Sequence, residues 1–94
     1  MRIRWLRTAL ANLDAEAEYI APHSPSTAAR VVMAIVTATE RLKQYPAMGR
    51  PGRVTGTREL IVPGTPYIVP YRVRGDGVEI LRVFDAARRW PAHL

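Results

Sequence analysis

The sequence predicts an α+β fold of order β-α-α-β-β-β, with an antiparallel helical hairpin packed on one face of a small, mainly antiparallel sheet. Three observations carry this. Side chains alternate through Tyr67 to Arg74 and again through Val78 to Asp85, and Gly75-Asp76-Gly77 between them supplies the positive-φ residues of a tight hairpin turn. Two apolar stripes at helical spacing lie on either side of Pro22. A stretch rich in proline and glycine, residues 46–57, separates those stripes from the strands.

The elements follow in chain order. Ile3 to Leu6 reads as a short strand. Thr8 is the expected cap of a first helix with Leu10, Leu13, Ala17, Ile20 and Ala21 on its buried stripe, and Pro22 stops it. Ser24 or Ser26 caps a second helix with Pro25 in its first turn, and Val32, Ile35, Val36, Thr39 and Leu42 form its stripe up to Tyr45-Pro46. Residues 46–57 have no hydrophobic periodicity and are expected to run as an ordered loop into a strand from Glu59 to Val62, which Pro63-Gly64-Thr65-Pro66 then turns back.

Whether the last turn is built on Gly75-Asp76 or Asp76-Gly77, the two registers differ by two residues, so the same side chains share a face. One face should hold Tyr67, Val69, Tyr71, Val73, Val78, Ile80, Arg82 and Phe84 and be covered by the helices. The other should hold Ile68, Pro70, Arg72, Arg74, Glu79, Leu81, Val83 and Asp85 and form an open working surface.

Composition narrows the function classes. The 94 residues are expected to form a single domain over 1–94, which buries about 60–65% of the surface of its unfolded chain. With no cysteine there is no disulfide, thiolate metal site or cysteine nucleophile. The first residues, Met1-Arg2-Ile3-Arg4-Trp5, are charged and no apolar run of signal-peptide or membrane-spanning length follows, so a soluble cytoplasmic protein is expected. Net charge is +6, and 13 of the 14 basic residues are arginine, which forms bidentate pairs with carboxylates and phosphates. An acidic partner is therefore expected, and nucleic acid or an acidic protein segment satisfies the charge equally well.

Among individual residues, Arg72 and Arg74 are placed to grip a partner's carboxylate or phosphate, or to solvate the sheet with one of them paired across the strand to Glu79. Arg82 is expected to lay its stem on the helix-facing side, and Tyr67 and Tyr71 to be core residues with hydrogen-bonded hydroxyls. Arg88, Arg89 and Trp90 follow the last strand, where an aromatic ring beside two guanidinium groups suits a protein partner or a nucleobase, or else staples the tail to the sheet. His23 and His93 lack the companions a metal site requires, so neither metal nor cofactor is expected. Asp14, Glu16 and Glu18 spread over the outer face of the first helix and are read as solvating it.

The ordered set of a strand, a helical hairpin, YPAMGRPG, RELIV, YIVPYRV and VEILRVFDAARRWP resembles the RelE/ParE superfamily of toxins from bacterial type II toxin-antitoxin modules over nearly the whole chain. The resemblance implies the same β-α-α-β-β-β fold, a cognate acidic antitoxin that forms a hetero-oligomer with the toxin, and operator DNA reached only through that antitoxin. It also implies one of two targets. ParE-like members poison DNA gyrase; RelE-like members cut messenger RNA on the ribosome, and here would hold the phosphate with Arg58, Arg72, Arg88 and Arg89. Leu60 and Ile68 stand where RelE-like members place cations, and Asp85 where many carry histidine, so the ParE-like branch is favoured. A degenerate member acting only as an antitoxin-binding co-repressor is the remaining alternative. Arg72, Arg74, Arg88, Arg89 and Trp90 are the expected antitoxin- or target-binding residues.

Overall fold

The computed structural model describes residues 1–88 and residue 94. Strand β1 (Arg2–Trp5) leads into helix α1 (Arg7–Ile20), which is followed by helix α2 (Pro25–Glu40) and a 3₁₀ turn (Arg41–Lys43). Strands β2 (Arg50–Pro51), β3 (Arg58–Ile61), β4 (Tyr67–Arg74), β5 (Gly77–Ile80) and β6 (Phe84–Asp85) complete it. They form one sheet in the order β1-β5-β4-β3-β2, with β6 pairing to β4 beyond the end of β5. All pairings are antiparallel except β1 with β5, which is parallel. A parallel pair needs a long crossover, and everything from α1 to β4 supplies it.

The helices begin for different reasons. Ser24 caps α2, its hydroxyl accepting a hydrogen bond from the Thr27 amide at 3.2 Å, with Pro25 at the first helical position; Ser26 has no such role. Helix α1 has no side-chain cap, and Thr8 lies inside its first turn rather than before it. Its start is set by the sheet: the Leu6 amide donates to the Ile80 carbonyl, and the chain turns into the helix at the next residue. The stripe of α1 is also rotated from expectation, with Ala9 fully buried and Leu10 48% exposed.

The core joins Ala9, Ile35, Ala38 and Leu42 from the helical layer to Leu60, Val62, Tyr67, Val69, Tyr71, Val78, Ile80 and Val83 from the sheet layer. Five of the eight residues expected on the helix-facing side are therefore there. Val73 shares that face but is 44% exposed. The other two, Arg82 and Phe84, are displaced by a bulge. The amides of Leu81 and Arg82 both donate to the Pro70 carbonyl, at 2.9 and 3.5 Å, so two residues oppose one.

Beyond the bulge the alternation is inverted. Phe84 pairs with Ile68 and Asp85 with Tyr67, which puts Asp85 on the helix side and Phe84 on the other. Val83 is 2% exposed within the core, and Arg82 lies in the bulge, half-buried. The physical reason is Pro70. Its carbonyl points toward β5 and β6, so an amide hydrogen at that position would point there too, and proline has none. A bulge is where a sheet tolerates that loss.

The face away from the helices is only partly open. Ile68 and Leu81 are 6% and 5% exposed, and Pro70 is fully buried. The exposed residues lie at its two ends, Arg72 and Arg74 at one and Ile61, the partner of Ile68, at the other. The 46–57 segment is ordered, as expected, although it also contributes β2. Tyr71 fixes its start: the hydroxyl donates to the Pro46 carbonyl at 2.7 Å and accepts from the Gly49 amide at 2.9 Å. Arg58 adds bonds to the carbonyls of Ala47 and Gly49, at 3.3 and 2.8 Å.

Tyr71 is fully buried, so losing its hydroxyl leaves a buried donor and acceptor unserved. Tyr71→Phe should cost about 1–3 kcal/mol and lower the melting temperature by several degrees in a thermal melt. Gly49→Ala should cost at least as much, because a Cβ there would stand 2.6 Å from the Tyr71 hydroxyl and 3.0 Å from the Glu59 carbonyl.

Candidate functional site

The basic end of the second face is organised around one carboxylate. Glu79 on β5 lies directly between Arg4 of β1 and Arg72 of β4, its Cα partner on each side. Period-two alternation brings all three to one face, because Ile3 and Trp5 turn toward the core while Arg4 turns away. Arg72 Nε donates to Glu79 Oε1 at 2.6 Å, and Arg74 Nε is 3.9 Å from the same oxygen. Arg4 Nη1 approaches Oε2 at 3.5 Å.

The side chain of Glu79 is only 11% exposed, whereas those of Arg4 and Arg74 are 75% and 67% exposed and that of Arg72 36%. The hydrogen bond from Arg72 holds the Glu79 carboxyl below its ordinary range against the opposing effect of burial, and the charges of Arg72, Arg74 and Arg4 act in the same sense as that bond. Three guanidinium groups on one carboxylate leave a surplus of positive charge. Along the same face a groove runs past Arg72, Arg74, Leu81 and Arg82 between the 54–57 loop and Leu6-Thr8. Such a surface can hold an anion beside apolar side chains.

The other expected site residues are dispersed. Arg58 is the Cα partner of Tyr71 and therefore faces the helix side, where its guanidinium is bound to loop carbonyls. Arg88 lies against α1: Nη1 donates to Glu16 Oε2 at 3.1 Å, Nε is 3.9 Å from Asp85 Oδ2, and the guanidinium sits 4.2 Å above the Tyr19 ring. Glu16 also accepts from the Tyr67 hydroxyl at 2.9 Å, so it is a clasp between α1 and the sheet rather than a solvating charge. Burial, and then that bond to Glu16, push the Tyr67 hydroxyl well above its ordinary range. Arg89, Trp90 and His93 lie outside the described residues.

Leu60 is buried in the helix-facing core, and Ile68 is buried on the opposite face beside Phe84. Among the described residues no group of three or more histidine, cysteine or acidic side chains is gathered as a metal would require, and no helix is long and apolar enough to cross a membrane. Sequence reasoning had not singled out Arg4. Its alternation with Ile3 and Trp5 was visible, but its neighbour Glu79 lies 75 positions along the chain and meets it only through the parallel β1–β5 pairing.

A carboxyl held below its ordinary value stabilises the fold at neutral pH, and that contribution is lost as pH falls from the unfolded value through the folded one. Melting temperatures followed from about pH 7 to about pH 3 should therefore fall more steeply for the wild type than for Glu79→Gln, with the two curves converging at the acid end.

Comparison with known proteins agrees with this fold. A family model described as the ParE toxin of type II toxin-antitoxin systems, parDE, matches residues 3–90. A Sinorhizobium fredii protein named as a candidate toxin, Y4kP, is 52% identical over 93 residues, covering 99% of this chain and 96% of its own. Toxin RelE2 of Caulobacter vibrioides is 37% identical over 87 residues, 93% of this chain and 97% of its own. Among solved structures, the chromosomal ParDE TA system from P. aeruginosa superposes with a TM-score of 0.80 at 36% identity, covering 88% of this chain and 92% of that one. The toxin-antitoxin complex RelBE2 from Mycobacterium tuberculosis gives 0.64 at 28% identity, with 87% and 93% covered. The family match spans nearly the whole chain, and the chain belongs to the ParE toxin family of type II toxin-antitoxin systems, within the RelE/ParE superfamily.

Proposed function

We propose that this toxin is kept inactive in the cytoplasm by a cognate acidic antitoxin and that, once released, it inhibits growth by ParE-like poisoning of DNA gyrase. The observation that carries the choice of target is the dispersal of the arginines that RNA cleavage would use. Cleavage by 2′-hydroxyl attack needs a proton acceptor, a proton donor and cations converging on one phosphate. Here Arg58 is engaged by loop carbonyls on the helix side, Arg72 by Glu79 on the opposite face, and Arg88 by Glu16 on α1. Leu60 and Ile68 bring no cation, and Asp85 pairs with Arg88 rather than standing as an acid or base of its own.

The likeness to toxin RelE2 supports a second reading, a ribosome-dependent messenger RNA endoribonuclease in which Arg58, Arg72, Arg88 and Arg89 hold the phosphate. Plasmid supercoiling by gyrase and primer extension across a ribosomal A-site codon, run on one toxin preparation, separate the two. Loss of supercoiling or trapped cleaved DNA without A-site cleavage is expected. A-site cleavage that disappears in an Arg88→Ala, Arg89→Ala double variant would overturn the gyrase reading. Inactivity in both assays would leave the antitoxin-binding co-repressor role, with operator DNA reached through the antitoxin.

For the antitoxin, the basic end of the sheet face suits an acidic segment that orders on binding, placing aliphatic side chains in the groove and carboxylates on arginines. Arg74→Ala should weaken antitoxin binding by about tenfold with little change in melting temperature, since an exposed ion pair contributes little to stability. Arg72→Ala should lower both, because it removes the short bond to buried Glu79. Calorimetric titration against the co-expressed antitoxin, with thermal melts of each variant, measures the split.

A further inference from the structure

Glu79 puts a negative charge in the middle of a surface proposed to bind an acidic partner. Charge alone makes that unfavourable, so its geometry matters. The two carboxylate oxygens meet different strands: Oε1 meets Arg72 and Arg74 of β4, and Oε2 meets Arg4 of β1. Arg72 is hydrogen-bonded through Nε, while Arg4 Nη1 and Arg74 Nε approach as ion pairs at 3.5 and 3.9 Å. A guanidinium carries five N–H donors, so donors remain on each head group beyond these contacts. Arg4 and Arg74 remain largely exposed while so held.

Without that carboxylate, three like charges on adjacent strands would repel one another, and their long stems would sample many rotamers. With it they are held together over one spot, which removes part of the ordering cost of binding. The buried position of Glu79 and its placement between two arginine Cα partners give it little freedom to turn away.

We infer that Glu79 is a positioning residue for partner binding, holding Arg4 and Arg74 on either side of its carboxylate as a two-armed clamp for carboxylates of an acidic protein segment, and that Arg4 is a binding residue of that clamp. This rests on the antitoxin reading above and adds to it a residue from β1 and a role for the carboxylate. Simple charge bookkeeping predicts the opposite sign: removing a negative group from a basic face should tighten binding to an acidic partner.

The test uses the full-length toxin and the acidic protein encoded by the neighbouring reading frame, titrated by calorimetry at low and high salt, with a melting curve for every variant. Glu79→Gln is expected to weaken binding by about tenfold despite raising the net positive charge. Glu79→Asp, which keeps the charge but shortens the reach to Arg4, should weaken it as well. Arg4→Ala should resemble Arg74→Ala. Tighter binding by Glu79→Gln, or unchanged binding by Glu79→Asp, would overturn the inference, as would an Arg4→Ala variant that binds like wild type. Arg74→Ala is the control for the underlying reading: if it too binds like wild type, the antitoxin site itself is misplaced, whereas loss in Arg74→Ala with none in Glu79→Asp condemns only the clamp. Should Glu79→Gln melt too early to titrate, Glu79→Asp and Arg4→Ala decide the matter.

Discussion

Strand β4 lies between β3 on one edge and β5 followed by β6 on the other, and its eight residues are what the rest of the molecule is arranged around. Being hydrogen-bonded on both sides, it cannot slip in register without turning every side chain to the wrong face. Tyr67, Val69 and Tyr71 thereby enter the core under the helices, while Ile68, Pro70, Arg72 and Arg74 face away. Both the hydrophobic layer and the basic surface are thus consequences of one alternating sequence. The hydroxyl of Tyr71 extends the same control to the 46–57 segment, whose first residues it holds by two hydrogen bonds.

The second organising theme is a pair of buried glutamates in a strongly basic chain. Glu59 accepts from Arg50 Nε and from the Arg53 amide, both at 3.0 Å, which returns the loop after β2 to the sheet. Glu79 gathers Arg4, Arg72 and Arg74. Removing a carboxylate from water is costly, and it persists only where charge-assisted bonds offset the loss. Glu59 thereby fixes the side chain of Arg50 and the backbone of Arg53, and Glu79 gathers three arginines that would otherwise be mobile and mutually repelling. The surface that results is basic and also ordered, which lowers the ordering cost of any binding there.

The far end of the sheet is tied differently. Glu16 receives the Tyr67 hydroxyl and Arg88 together, and Arg88 also rests on the Tyr19 ring, so α1, β4 and the chain beyond β6 meet at one carboxylate. Of the described arginines that phosphate binding would use, Arg58 braces the loop, Arg72 joins the cluster around Glu79 and Arg88 closes the α1 clasp. That division is the observation on which the proposal of gyrase over messenger RNA rests.

The order of elements, the helix break at Pro22, the alternation of β4 and β5 and the buried tyrosines were all legible in the sequence, because each depends on local periodicity or on a turn residue. That Glu79 faces Arg72 or Arg74 was legible from the hairpin, and the observed pairing of Arg74 with Gly77 selects Arg72. The facing of residues 82–85 was not. Pro70 in a strand flanked on both sides was the one available signal of a bulge, but only the paired structure shows that two residues, Leu81 and Arg82, answer its carbonyl. The start of α1 escaped because a backbone bond from Leu6 to Ile80, rather than a capping side chain, decides it. Arg4 and Glu16 escaped because their partners are 75 and 72 positions away and come near only once β1 has paired with β5 and α1 has settled on the sheet. Periodicity assigns a side chain to a face; which charges then share that face across distant strands is set by the order in which the sheet is assembled, and no local pattern encodes it.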